Sequence, residues 1–226
     1  METKSIIFPY LPQLDKFVDE GDLDAIVNTL DSKGNRQTID HVNWDSEYPY
    51  RPLTAVTVAH SGRYLYLDFF VRCNYMRAVN TEDQSPVSED SCVEFFVSPD
   101  SSDHYWNFEF NCIGTINASH RTERHNPTRL SHEMLSQVLR YASCGNRPFC
   151  ELEGLFTWNL LVAIPLSLIG LEFKGQEIKI SGNFYKCASR TSAPHYLSWN
   201  PIHSEHPDFH RPDCFGTIIL SSDQQQ

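Results

Sequence analysis

No stretch of this chain keeps the three-to-four-residue apolar spacing of a long helix. Short segments instead alternate apolar and polar side chains, and glycine, proline and acidic turns cut them at close intervals. That rhythm restricts the fold to the all-β class. Residues 55–59 and 64–71 flank His60-Ser61-Gly62-Arg63, whose Ser-Gly suits a hairpin turn; Leu65, Leu67, Phe69 and Val71 then face one way, and Tyr64, Tyr66 and Asp68 the other. Further strands are expected at 91–98, 105–112, 137–142, 156–164, 182–188, 195–199 and 216–220. Short peripheral helices are expected at 22–30, capped by Asp22, and at 131–135, with a single turn at 165–170 ended by Gly170. The expected architecture is a two-sheet antiparallel β-sandwich, jelly-roll or immunoglobulin-like, forming one domain over residues 1–226 with a polar tail at 221–226.

Composition narrows the partners. With 18 Lys and Arg against 29 Asp and Glu, the net charge of -11 opposes attraction to phosphate backbones, so nucleic acid is not expected. No window holds the ~20 apolar residues of a membrane span, and the longest apolar run, 160–165, is broken by Pro165. The start of the sequence lacks a secretory pattern, which points to the cytoplasm unless a leader has been removed. Seven cysteines without a CxxC read as buried thiols, with Cys144 and Cys150 placed for pairing across a turn. Asn117-Ala118-Ser119 matches a glycosylation acceptor.

The strands at 91–98 and 105–112 carry chemistry. Val93, Phe95 and Val97 oppose Glu94; Trp106, Phe108 and Phe110 alternate with Tyr105, Asn107, Glu109 and Asn111. Acids and amides on the outer face of a sheet can hydrogen-bond a neutral polyol, which suggests a sugar. The acidic, loop-like stretches 81–90 and 202–213 could frame such a surface.

Ordered blocks then resemble a known family: Ala78-Val79-Asn80-Thr81-Glu82-Asp83, Glu89-Asp90-Ser91-Cys92-Val93-Glu94-Phe95-Phe96, Asn107-Phe108-Glu109-Phe110-Asn111, Gly182-Asn183-Phe184-Tyr185-Lys186-Cys187, Leu197-Ser198-Trp199-Asn200-Pro201 and 207–216. Together they are similar to carbohydrate-binding family 9-like domains. The resemblance implies a non-catalytic β-sandwich that binds mono- or oligosaccharide ends in company with glycan-degrading enzymes. It also implies a sugar held between two rings and hydrogen-bonded at its rim. By motif, Glu94, Asn107 and Lys186 are the hydrogen-bonding groups and Phe209 is the aromatic platform, with His210 and Arg211 assisting. The other ring is expected six residues before Glu94, where this chain has Ser88; Tyr75 or Tyr105 could substitute. No cofactor is implied beyond structural calcium, for which Asp83, Glu89, Asp90, Asp100 and Asp103 could supply oxygens.

Three other readings are open. A glycan hydrolase would use Glu94 with Glu109 as its two carboxylates, and a haem-binding sandwich of related fold would use His and Met as axial ligands. Zinc on His203, His206, His210 and Cys214 is opposed by Pro207 and Pro212, which interrupt any helix that would align them.

Overall fold

The computed structural model describes residues 3–100, 102, 104–122 and 126–223. In chain order the elements are β1 (Ser5–Phe8), α1 (Gln13–Glu20), α2 (Leu23–Lys33), β2 (Asn35–Thr38), β3 (His41–Val42), β4 (Leu53–His60), β5 (Tyr64–Ala78), β6 (Cys92–Ser98) and β7 (Tyr105–Asn111). They continue through β8 (Ile116–Arg121), β9 (Pro127–Arg129), α3 (His132–Leu135), β10 (Leu139–Ala142), β11 (Phe149–Pro165), β12 (Ile178–Ala188), β13 (His195–Ser198) and β14 (Gly216–Leu220). One sheet runs β1-β14-β12-β6-β7-β8-β9, with β13 and β3 added beside β12; the other runs β10-β11-β5-β4-β2. Pairing is antiparallel except between β1 and β14. This is the expected two-sheet β-sandwich.

Period-2 alternation builds the layer between the sheets. Val93, Phe95, Phe108, Phe110 and Phe184 from one sheet meet Val58, Leu67, Phe69, Trp158 and Val162 from the other, all buried completely. Each such side chain contributes about 1.5–3 kcal/mol on leaving water. The 60–63 hairpin forms as expected: the Ser61 hydroxyl accepts from the Arg63 and Tyr64 amides at 3.2 and 3.0 Å, and Gly62 takes a φ of 90°. Where β13 leads out of the sandwich, Trp199 lies so close over Gly216 that a Cβ there would enter its ring.

Helix α2 starts where Asp22 accepts the Ala25 amide at 3.0 Å. Leu14 of α1 and Ile26 and Leu30 of α2 pack on Ala59, Tyr66, Leu161 and Ala163, covering the outer face of the five-stranded sheet. The segments missing from the expectation are β1, α1, β2, β3, β8 and β9. In addition, β5 runs on to Ala78 and β11 begins at Phe149, because each zips along the other for nearly its whole length.

The outer face of the larger sheet differs from the expected open polar surface. Phe96, Tyr105 and Tyr185 on that face are covered by Trp44, Ile202, Phe209, Cys214 and Phe215, which form a separate apolar cluster. The two segments of this cover are tied together, since the Trp44 indole donates to the Ser204 carbonyl at 3.0 Å. The polar strand positions are therefore buried beneath a lid of loop, with one hollow left at its edge.

Among the described residues no helix is long and apolar enough to cross a membrane.

Candidate functional site

Register decides which side chains meet. Glu94 of β6 lies directly opposite Glu109 of β7 and Tyr185 of β12, so these three share the outer face. Asn107 and Cys187, two residues along their strands from Glu109 and Tyr185, share it too. The loop segment 207–210 folds over this patch and leaves a hollow of about 280 Å³, close to the lower end of the ~300–1,000 Å³ usual for small-molecule sites. Its polar lining comes from Glu94, Glu109, Asp208 and His210; its aromatic walls are Phe209 and Tyr196, and Ser88 and Cys187 close it.

The two acids have different surroundings. Glu109 accepts from Asn107 Nδ2 on one carboxylate oxygen and from Asn117 Nδ2 on the other, both at 3.0 Å, and Arg121 donates to Asn107 Oδ1 at 2.8 Å. Burial pushes the Glu109 carboxyl up, but these two amide donors and the Arg121 charge pull against it. Glu94, 3% exposed, takes its side-chain hydrogen bonds from thiols: Cys187 Sγ lies 3.1 Å and Cys92 Sγ 3.8 Å from its Oε1. Burial first, then the neighbouring Cys187 and Glu109, drives the Glu94 carboxyl well above the usual carboxylate range. Glu94 thus holds its proton more readily than Glu109, and a pair with one proton between them can offer a sugar hydroxyl both a donor and an acceptor. That proton also relieves the like-charge repulsion of directly opposed acids.

Phe209 is held rather than free. Its ring stacks on Tyr185 at 4.2 Å and 10°, its carbonyl accepts the Tyr185 hydroxyl at 3.1 Å, and it is only 9% exposed. It lines the hollow as a wall and not as the open platform expected from the sequence. Tyr196, which sequence reading missed, stands beside it, with ring centroids 6.1 Å apart at 71°. The signal was present in His195-Tyr196-Leu197-Ser198, where alternation puts Leu197 inward and Tyr196 outward. Ser88 does reach the hollow, at the place where a second ring was expected. Neither proposed substitute does: Tyr105 is buried against Phe96, Phe215 and His210, and Tyr75 pairs edge-on with Tyr50 beside β5.

Two expected binding residues lie elsewhere. Lys186 is opposite Val93 in register, one position out of phase with Glu94, and so points into the layer between the sheets. There it is 1% exposed, with Nζ 2.7 Å from the Cys187 carbonyl and 2.9 Å from His195 Nε2. Burial lowers its pKa, and the sheet backbone separates it from the hollow. Arg211 makes two bonds to Asp213, at 2.8 and 2.6 Å, and one to the His203 carbonyl at 2.6 Å, so it fastens the covering loop. Asn107 is fully buried and acts on the hollow through Glu109. His210 does line the hollow, its Nδ1 3.0 Å from the Tyr105 hydroxyl.

The acids expected around calcium serve separate partners. Asp83 pairs with Arg140 at 2.9 Å, Glu89 with Arg190 at 3.6 Å and Asp90 with Arg77 at 2.6 Å, while Asp100 accepts from Ser98 at 3.2 Å and from the Ser102 amide at 3.1 Å. Asp103 lies outside the described residues. His203, His206, His210 and Cys214 do not converge: among the described residues the one grouping of three metal-ligating side chains is Cys92, Glu94 and Cys187. Cys144 and Cys150 are both free thiols, and Cys144 instead neighbours Cys112. Asn117, of the possible glycosylation acceptor, is engaged with Glu109.

Comparison with known proteins agrees with this fold. The family model for carbohydrate-binding family 9 matches residues 24–220. A crystal structure from Bacteroides uniformis, described as that of a candidate carbohydrate-binding protein, is 36% identical and covers 97% of this chain and 100% of its own, with a TM-score of 0.88. A family 9 module from Caldicellulosiruptor kristjanssonii in complex with glucose shares the fold at 13% identity, covering 99% and 98% of the two chains with a TM-score of 0.62. The same fold is seen in a module from that organism in complex with cellotriose, at 11% identity, 98% and 96% coverage and a TM-score of 0.57. No curated protein sequence matches. A match running from α2 to the end of β14 leaves little of the sandwich outside it, and the chain belongs to carbohydrate-binding family 9, whose members are non-catalytic binding modules.

Proposed function

We propose that the hollow between β6, β7 and the 207–210 loop takes the end of a saccharide. The observation that carries this reading is the pairing of Glu94 and Glu109 across two strands, facing the walls of Phe209 and Tyr196. A pyranose has C–H patches that pack on rings and a rim of hydroxyls that need partners, since each buried polar group left unpaired costs about 1–3 kcal/mol. The small volume fits one terminal ring, with the rest of a chain leaving towards solvent. Modules of the same fold hold glucose and cellotriose, which makes glucose-type ends the first ligands to try. In this reading the module serves a glycan-degrading enzyme by keeping it on its substrate, and contributes no bond cleavage itself.

Calorimetric titration with glucose, cellotriose, galactose and mannose tests the proposal. Saturable binding to at least one sugar is expected, weakened about 10–100-fold in Glu109→Gln, which loses hydrogen bonds to a charged acceptor. Absence of heat with every sugar, or equal affinity in the variant, would overturn it. Turnover of a chromogenic glycoside by the purified chain would contradict the non-catalytic role.

A further inference from the structure

The floor of the hollow holds two thiols that saccharide recognition does not require, placed beside Glu94. Cys92 of β6 and Cys187 of β12 are directly opposite in register, and Glu94 rises between them on the same face. The two Sγ atoms and a Glu94 carboxylate oxygen all lie within 4.8 Å of one another. The geometry points to a site for one borderline-soft divalent cation, Zn²⁺ being the natural occupant, ligated by Cys92 Sγ, Cys187 Sγ and Glu94.

Spacing and chemistry both fit. Zinc bonds of about 2.3 Å to sulfur and 2.0–2.2 Å to a carboxylate, at tetrahedral angles, require S···O separations of about 3.6 Å. The observed values are 3.1 Å from Cys187 and 3.8 Å from Cys92, so small side-chain movements suffice. Two thiols with a carboxylate select zinc over magnesium or calcium, which prefer oxygen. The Glu94 carboxyl is buried, and the hydrogen bonds it makes are to the two thiols. Glu94 and Cys187 also line the hollow, whereas Cys92 lies behind them, leaving the fourth coordination position to face the ligand space. Binding would displace the two thiol protons and the Glu94 proton, leaving two thiolates and a carboxylate on Zn²⁺ and three protons released to solvent. Affinity should therefore fall as pH is lowered.

The site shares Glu94 and the hollow with the saccharide reading, but its test uses metal alone and so can fail or succeed separately. The intact chain, reduced with a thiol-free phosphine and stripped of metal, is dialysed against Zn²⁺ and, separately, Co²⁺. Equimolar zinc retention and a near-ultraviolet sulfur-to-cobalt charge-transfer band are expected. Both should vanish in Cys187→Ser and Cys92→Ser, while His203→Ala/His206→Ala keeps them. Glu94→Gln should weaken retention while leaving the charge-transfer band at saturating Co²⁺. Circular dichroism identifies any variant that has lost its fold, and Glu94→Gln, which keeps the side chain's shape, serves as the second variant. Failure of the reduced wild type to retain zinc, a cobalt spectrum without the charge-transfer band, or undiminished retention in folded cysteine variants would each overturn the proposal.

Discussion

The sandwich buries raised carboxyls beneath both outer faces, and their surroundings differ. On the nine-stranded sheet, Glu94 sits in the 280 Å³ hollow beside a second acid, two thiols and two aromatic walls. On the five-stranded sheet, Asp68 sits at a hollow of about 750 Å³ under α2, lined by Leu23, Val27, Phe70 and Leu161, with Arg36 stacked over Phe70 at 5.3 Å. Burial raises Asp68 to about 6, with Asp31 adding to the shift and Arg36 opposing it. The larger space is built differently: its acid faces Thr57 and Leu161 in register, and its other charged groups, Asp31, Arg36 and Arg140, come from separate segments. What sets the smaller hollow apart is a pair of directly opposed acids beside two aromatic walls, and not its volume.

Replacing both walls tests that distinction most severely. Phe209→Ala/Tyr196→Ala should lower saccharide affinity by at least about a hundredfold, since each ring contributes roughly 1.5–3 kcal/mol of apolar contact when covered. Thermal melting run beside the calorimetry separates loss of contact from loss of fold. Equal affinity would dissolve the comparison. Next in size, Asp68→Asn should stabilise the fold by about 1–3 kcal/mol at pH 7.5 without changing saccharide affinity. The sign follows from a folded pKa above the unfolded one. The Asp68 contribution is complete below about pH 4 and is lost as pH rises through about 6, so the variant's advantage should vanish at pH 4. Urea unfolding at both pH values measures this, and a constant difference would refute it. The smallest effect is expected from Lys186→Met and Arg211→Ala, which should leave affinity within about twofold, because one side chain lies behind the sheet and the other fastens a loop. A tenfold loss in Lys186→Met, with its melting temperature preserved, would place Lys186 at the ligand after all.

Local alternation carried much of the fold. Every strand with clear period-2 patterning was legible, as were the Asp22 cap and the Ser61-Gly62 turn. Ser5–Phe8 escaped because it buries only Ile6 and Phe8 and carries the apolar Ile7 on its exposed side, which hides the alternation, and Ile116–Arg121 because polar side chains such as Asn117 face the covered side. At the site, Glu94, His210 and Phe209 were legible through motif, and Ser88 occupies the position anticipated for a ring. Lys186 was misplaced although parity with Phe184, two residues earlier and plainly inward, already put it in the core layer. The Cys92–Glu94–Cys187 grouping was not legible at all. Its members approach only because β12 pairs with β6 across a long loop of chain, and such pairing leaves no local spacing to read.

The clamp on Phe209 bears on how a ligand would be received. With its ring against Tyr185 and its carbonyl fixed by the same residue's hydroxyl, the wall has one conformation before any encounter. Immobilising a mobile side chain on binding costs about 0.5–1.5 kcal/mol, and here that cost was met when the chain folded. A ligand received at this wall would therefore meet a preformed surface, against which a weak intrinsic contact can still be a selective one.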